Sequence, residues 1–204
     1  YGLMPSPNLI AAGLARRTSR AAICVIGNSI AGYNPPIRVA EEFAMLDVIS
    51  GGRLVAGFPV GTPMDTNFCY GQIPALTRDK YQEAHDLIMK AWAEDEPFAF
   101  DGRHYRFGPM TFRPTPVQRP RIPIWVIGAW PHERSMRRAV RWDGIYVQAQ
   151  DANGRPASGP GPVRDVVGYV GRERPSDLRD SPFDVVVEGT TPADDPVAAA
   201  ALAR

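Results

Sequence analysis

Cysteine and histidine are scarce in this 204-residue chain, which has two of the first, Cys24 and Cys69, and three of the second. Two thiols this far apart make neither a metal-ligand spacing nor a disulfide framework, so a structural zinc site and a disulfide-stapled scaffold are excluded. Both cysteines are read as small buried apolar side chains. No apolar run approaches the about 20 residues that a membrane helix needs. Charge of one sign is also missing: 23 Lys and Arg against 22 Asp and Glu leave +1, and nothing in that balance draws the chain to nucleic acid or an anionic membrane. No Gly-x-Gly-x-x-Gly follows a strand and no Gly-Lys-Ser/Thr occurs, which removes the two commonest nucleotide loops of open α/β sheets. With no signal peptide in view, a reducing cytoplasm is the expected compartment.

Proline and glycine are plentiful, 21 and 19 residues, and gather around 59–63, 108–123 and 154–162, where they mark loops. The chain starts at Tyr1 and ends just after 196–203, a stretch that reads as the first turns of a helix with proline leading. Both ends are expected to be cut from a longer protein.

Periodicity organises the rest. A helical stretch over 8–15 leads into the apolar run 21–26, a buried strand ending at Gly27-Asn28-Ser29. Asn34 is expected to cap a helix in which Ile37, Ala40, Phe43, Ala44 and Asp47 share a face until Ser50-Gly51-Gly52 stops it. A second strand, 54–58, is followed by an irregular excursion over 59–77. Tyr81, Ala84, Ile88, Ala91 and Trp92 then recur at helical spacing over 78–93, with Thr77 as the expected cap. A small hairpin around Asp101-Gly102 comes next. Strands at 124–127, 144–147 and 183–187 alternate with helices at 133–142 and 162–174. Strands apolar on both faces, separated by one-sided helices, specify a parallel sheet covered by helices. Five strands fall short of a complete (β/α)8 barrel, which takes about 250 residues. One domain, an incomplete barrel over 1–204, is the expectation.

The continuous stretch 34–54, Asn-Pro-Pro-Ile-Arg-Val-Ala-Glu-Glu-Phe-Ala-Met-Leu-Asp-Val-Ile-Ser-Gly-Gly-Arg-Leu, closely resembles the bacterial luciferase-like, flavin-dependent oxidoreductases. The resemblance resumes at 97–105, 113–118 and 122–126, and so spans nearly the whole chain. It implies a (β/α)8 TIM barrel that binds FMN or, in some branches, the deazaflavin F420. On that fold the first two strands and the last would be missing, and the family's acidic and histidine motif would precede Tyr1, leaving the catalytic residues outside the chain.

What the resemblance places within the chain is the cofactor side. Asn28 and Ser29 belong to a turn, 27–31, that would underlie the flavin ring, and Gly57 and Thr62 to the loop after the next strand. Val60 stands where many relatives have arginine. The phosphate would lie at the turn Gly128–Ser135, where a helix start offers backbone N–H groups and a partial positive charge. There Glu133 matches a family position, and Arg134 replaces a common hydroxyl before Ser135. Arg78 matches a further phosphate-proximal arginine. Nine arginines against two acids over 101–141 suit an anionic cofactor.

Other signals are weaker. His132-Glu133 starts like a zinc-protease motif, but Met136 stands where the second histidine is needed, so no metal is expected. His85 and His104 read as structural. Asp47, on an apolar face, is expected to pair with Arg53. The activity implied is that of a monooxygenase using reduced FMN and O2 on a small organic substrate through a C4a-hydroperoxyflavin, with a separate flavin reductase and a homo-oligomeric full-length protein. F420-dependent hydride transfer and flavin binding without turnover are the alternatives.

Overall fold

The computed structural model describes residues 6–61, 71, 73–188 and 194–202; Thr62 and Cys69 lie outside them. The chain divides into two compact units, Tyr1–Ile127 and Gly128–Arg204.

The first unit contains α1 (Pro7–Arg17), β1 (Ile23–Val25), a 3₁₀ turn Ile30–Gly32, α2 (Ile37–Ser50), β2 (Leu54–Gly57), α3 (Pro74–Ala93) and a hairpin of β3 (Phe98–Asp101) and β4 (Arg106–Met110). It closes with the start of β5 (Ile124–Trp130), which runs through the boundary. β1, β2 and β5 are parallel neighbours, with Cys24 beside Val55 and Gly57 beside Trp125. Ile23, Val25, Leu54, Ala56, Ile124 and Val126 make one buried face. On the opposite face Cys24 is exposed and Trp125 and Ile127 are half-buried. The expectation of a buried Cys24 is therefore corrected: alternation on this short strand turns it away from the layer that covers Ile23 and Val25.

Two caps also differ from expectation. The residue capping α2 is Pro36, and Asn34 makes no capping hydrogen bond; with no N–H of its own, proline lowers the need for an acceptor there. The far end closes as expected, with Gly51 at φ +67° and its N–H on the Asp47 and Val48 carbonyls. α3 starts at Pro74, inside the expected excursion, because proline at the first position is preorganised for a helix. Thr77 consequently lies within the helix and its hydroxyl donates to the Ile73 carbonyl at 3.3 Å.

The expected pairing of Asp47 with Arg53 is not formed. Asp47 is fully buried and accepts hydrogen bonds from the Val117 and Gln118 backbone N–H groups and the Gln118 amide, at 2.7–3.0 Å. Arg53 donates to the carbonyls of Ala15, Thr18, Ala21 and Ser50 and to the Thr18 hydroxyl, which locks the end of α1 to the end of α2. Each group found backbone partners, which satisfy a buried charge without a counter-ion.

The second unit has the end of β5, α4 (Glu133–Ala139), β6 (Gly144–Ala149), α5 (Pro160–Glu173), a 3₁₀ turn Ser176–Leu178, β7 (Asp184–Val186) and α6 (Pro196–Leu202). β6 lies between β5 and β7, and pairs parallel with β7 from Gly144 opposite Asp184. α4 is shorter than expected. α5 buries Val166, Tyr169 and Val170. Arg174, 5% exposed, donates to the carbonyls of Trp142, Leu178 and Pro182 and stacks on Phe183. α6 starts at proline as expected, with the Asp195 carboxylate accepting from the Val197 and Ala198 N–H groups.

Candidate cofactor site

In parallel sheets ligands bind at the carboxyl ends of the strands, because all connections on that edge rise into helix starts. β1 and β2 are parallel neighbours, so the turn 27–31 and the loop 58–61 lie on one such edge of the first unit. The Ser29 hydroxyl donates to the Val60 carbonyl at 3.0 Å and ties them together. At Gly57 a Cβ would lie 2.5 Å from the Ile26 Cα and 2.8 Å from the Val25 carbonyl oxygen. Glycine is required there so that the two backbones can meet. Tyr81 on α3 supports the same loop through a 2.8 Å hydrogen bond to the Phe58 carbonyl.

Asn28, on the same turn, has its side chain turned inward. It is 0% exposed, its amide donates to Asn8 at 2.9 Å, and its carbonyl accepts from the Tyr33 hydroxyl at 2.8 Å. Its polar atoms face α1 and the exit of the 3₁₀ turn. Sequence reasoning missed Asn8, although a signal existed: it is a polar residue on the stripe that continues through Ala11 and Ala15, the buried residues of α1.

Arg78 is exposed on α3 and has no ion-pair or hydrogen-bond partner among the described residues. Five residues on, the Glu83 carboxylate accepts the backbone N–H groups of Arg103, His104 and Tyr105. A Cβ on Gly102 would strike Glu83, so this family-like motif serves the hairpin. Burial, with the Glu83 charge adding, pushes the Tyr105 hydroxyl up to about 12. His85 is buried with its ring 5.6 Å from Phe58 and 5.8 Å from Tyr81, a structural position as expected. A cleft of about 280 Å³ beside the hairpin, lined by Ile37, Tyr105 and Phe107 among others, contains none of the expected cofactor residues.

In the second unit Gly128, Glu133, Arg134 and Ser135 come together. The Ser135 hydroxyl accepts the Ala129 N–H at 3.0 Å and closes the turn on itself. The His132 carbonyl accepts from Ser135 and Met136. The N–H groups of Glu133 and Arg134 make no hydrogen bond among the described residues, and neither does the exposed Arg134 guanidinium. A Cβ on Gly128 would fall 2.2 Å from Ile145, so this glycine serves packing against β6. The Glu133 carboxylate accepts from Arg137 at 2.7 Å and from the Tyr169 hydroxyl at 3.1 Å. Chiefly the Arg137 hydrogen bond holds it below the usual carboxylate range. A carboxylate cannot donate to an anion, so what position 133 offers a phosphate is its N–H. The turn thus presents two amides and one cation, donors suited to an anionic oxygen cluster.

A family profile described as luciferase-like monooxygenase matches residues 1–155. The chain is 31% identical over 137 residues, 65% of its length and 36% of the other, to the oxygenase component of the flavin-dependent trigonelline monooxygenase of Acinetobacter baylyi. It is 30% identical over 126 residues, 58% of its length and 32% of the other, to the F420-dependent hydroxymycolic acid dehydrogenase of Mycobacterium tuberculosis. Among solved structures, monooxygenase RslO1 from Streptomyces bottropensis superposes with a TM-score of 0.69 at 27% identity, over 85% of this chain and 50% of that one. The chain spans half or less of the length of each of these proteins.

Proposed function

This chain belongs to the luciferase-like monooxygenase family and carries part of a luciferase-like (β/α)8 barrel, and from that premise we propose that its parent protein is a flavin-dependent monooxygenase that binds reduced FMN and acts with O2 on a small organic substrate. The observation that carries the reading is the turn opening α4, where the N–H groups of Glu133 and Arg134 and the Arg134 guanidinium have no hydrogen-bond partner among the described residues. These groups would hold the FMN phosphate; Arg78 is, by resemblance, a phosphate-proximal arginine. Ser135 shapes the turn, and Glu133 steadies it through Arg137 and Tyr169. Ser29 and Gly57 hold the edge on which the ring would rest, with Thr62 a further cofactor residue of the same loop by resemblance. When bound, the reduced flavin supplies the electrons with which one atom of O2 enters the substrate.

A single partial-barrel domain over 1–204, a separate reductase and a cytoplasmic, homo-oligomeric parent protein complete the proposal. The relative named as an oxygenase component supports the reductase. Exposed Leu9 and Leu14 on α1, with Met45 and Val48 on α2, support self-association. Among the described residues no helix is long and apolar enough to cross a membrane.

F420-dependent hydride transfer is a second reading, favoured by the F420-dependent relative and the arginine excess over 101–141. Titrating the intact protein with FMN, riboflavin and F420 tests both. The proposal expects FMN to bind more tightly than riboflavin and oxygen to be consumed with substrate. Binding of F420 alone, with stoichiometric substrate reduction, replaces it with the second reading. FMN binding without turnover leaves a flavin-binding protein.

A further inference from the structure

Asn28 sits in the turn that the flavin reading places under the ring, and its side-chain amide is turned inward onto Asn8 and Tyr33. It is one link of a chain that is buried at its centre and half-buried at both ends. Tyr33 donates to the Asn28 carbonyl oxygen, Asn28 Nδ2 donates to Asn8 Oδ1, and Asn8 Nδ2 donates to Glu42 Oε2 at 2.5 Å. The three helical pieces that meet here are α1, α2 and the 3₁₀ turn, whose last capping residue is Tyr33.

The direction of this chain has a physical origin. A primary amide can present either its oxygen or its nitrogen, so two amides in series are stable in two opposite orientations. A carboxylate only accepts. Glu42 therefore demands Nδ2 of Asn8, which leaves Oδ1 for Asn28; that in turn demands Nδ2 of Asn28 and leaves its Oδ1 for Tyr33, a hydroxyl able to donate. One reversed amide would set oxygen against oxygen, and with Asn28 at 0% exposure no water could repair the mismatch. The segment so held is short. Asn28 stands at its entry and Tyr33 at its exit, while Ser29 between them is bonded to Val60 and Pro7 lies 3.2 Å from where a Cβ on Gly27 would be.

We propose that Glu42 is a positioning residue: it sets, through Asn8 and Asn28, the hydrogen-bond direction that fixes the 27–33 segment as the floor of the cofactor site. The positioning of a cofactor rests on the flavin reading; the fixing of the segment does not.

A double-substitution cycle in the intact protein tests this, read by amide hydrogen exchange over 27–33 and by FMN affinity from fluorescence quenching. Asn8→Asp places a carboxylate against Glu42 and should speed exchange over 27–33 and weaken FMN about tenfold. Glu42→Gln alone should cost about twofold or less, because its oxygen can still accept. Combining them should restore both readouts to within about threefold, since the amide introduced at position 42 would donate to the carboxylate introduced at position 8, which would still accept from Asn28. If Asn8→Asp does not fold, Glu42→Lys and Glu42→Met replace it. A lysine donates and reverses the chain, whose far end the Tyr33 hydroxyl can then accept, whereas methionine leaves Asn8 Nδ2 with no acceptor, so methionine should open 27–33 far more than lysine.

Additive exchange effects in the cycle, or methionine no worse than lysine, overturn the proposal. Rescue of exchange in a protein that binds neither FMN nor F420 supports the fixing of the segment and sinks the flavin reading alone. Rescue of exchange with FMN affinity unmoved by Asn8→Asp overturns the positioning role.

Discussion

The fully buried carboxylate of Asp47 holds Gln118, 71 residues further along, by its backbone N–H and its side-chain amide, and the same amide reaches the Leu54 carbonyl at 2.8 Å. One side chain of α2 therefore fastens the connector that delivers β5 to β2. Asp47→Asn would turn an NH2 group toward at least one of the three donors now facing the carboxylate. We expect a loss of about 2–3 kcal/mol, seen as a lower urea midpoint at unchanged slope.

Two glycines of the first unit should respond in opposite directions to alanine. At Gly57 the new methyl meets β1 backbone, which cannot give way, and the change should destabilise by about 1–3 kcal/mol. At Gly13, inside α1 with nothing within 4 Å of a Cβ, it should stabilise by about 0.5–1 kcal/mol. Thermal and urea unfolding of the two variants side by side checks the contrast.

Arg134→Ala in the intact protein should weaken FMN by about ten- to a hundredfold while riboflavin binding stays nearly level, because only FMN has a phosphate for the guanidinium to hold. Arg78→Ala should act in the same direction. Equal losses for both ligands, measured by isothermal titration, would make these arginines structural.

Glu133 gives a pH signature. Its carboxyl is held low in the folded state, first by the Arg137 hydrogen bond and further by the Tyr169 hydroxyl and the Arg137 charge, against an opposing effect of burial. A depressed folded-state value means that the stabilisation is present above the unfolded-state value and disappears as pH falls through the folded one. The melting-temperature gap between the wild type and Glu133→Gln should be open at neutral pH and close on acidification. A gap that stays constant on acidification would contradict the assignment.

The motifs that made the family legible are fold clamps more than chemistry. Within 34–54, Asp47 grips the connector at 117–118, and Arg53 gathers four carbonyls. In the hairpin motif, Gly102 leaves room for Glu83 to take three N–H groups. Of the nine expected cofactor residues, Asn28 serves a buried network and Gly57 and Gly128 serve close packing. Arg78 and Arg134 keep side chains free of partners among the described residues, and Thr62 lies outside those residues.

By itself the amino-acid order determined the succession of elements: short apolar runs bounded by turn residues read as strands, and apolar residues three and four apart read as one-sided helices. It also determined where proline and glycine interrupt them. Tertiary structure alone decided which polar groups meet. Asn8 lies 20 residues from Asn28 and 34 from Glu42, while Arg53 reaches 38 residues back to Ala15, and no local period encodes such a distance. The choice between pairing Asp47 with Arg53 and sending each to backbone was likewise made there, because a buried charge takes whichever donors or acceptors packing brings within about 3 Å.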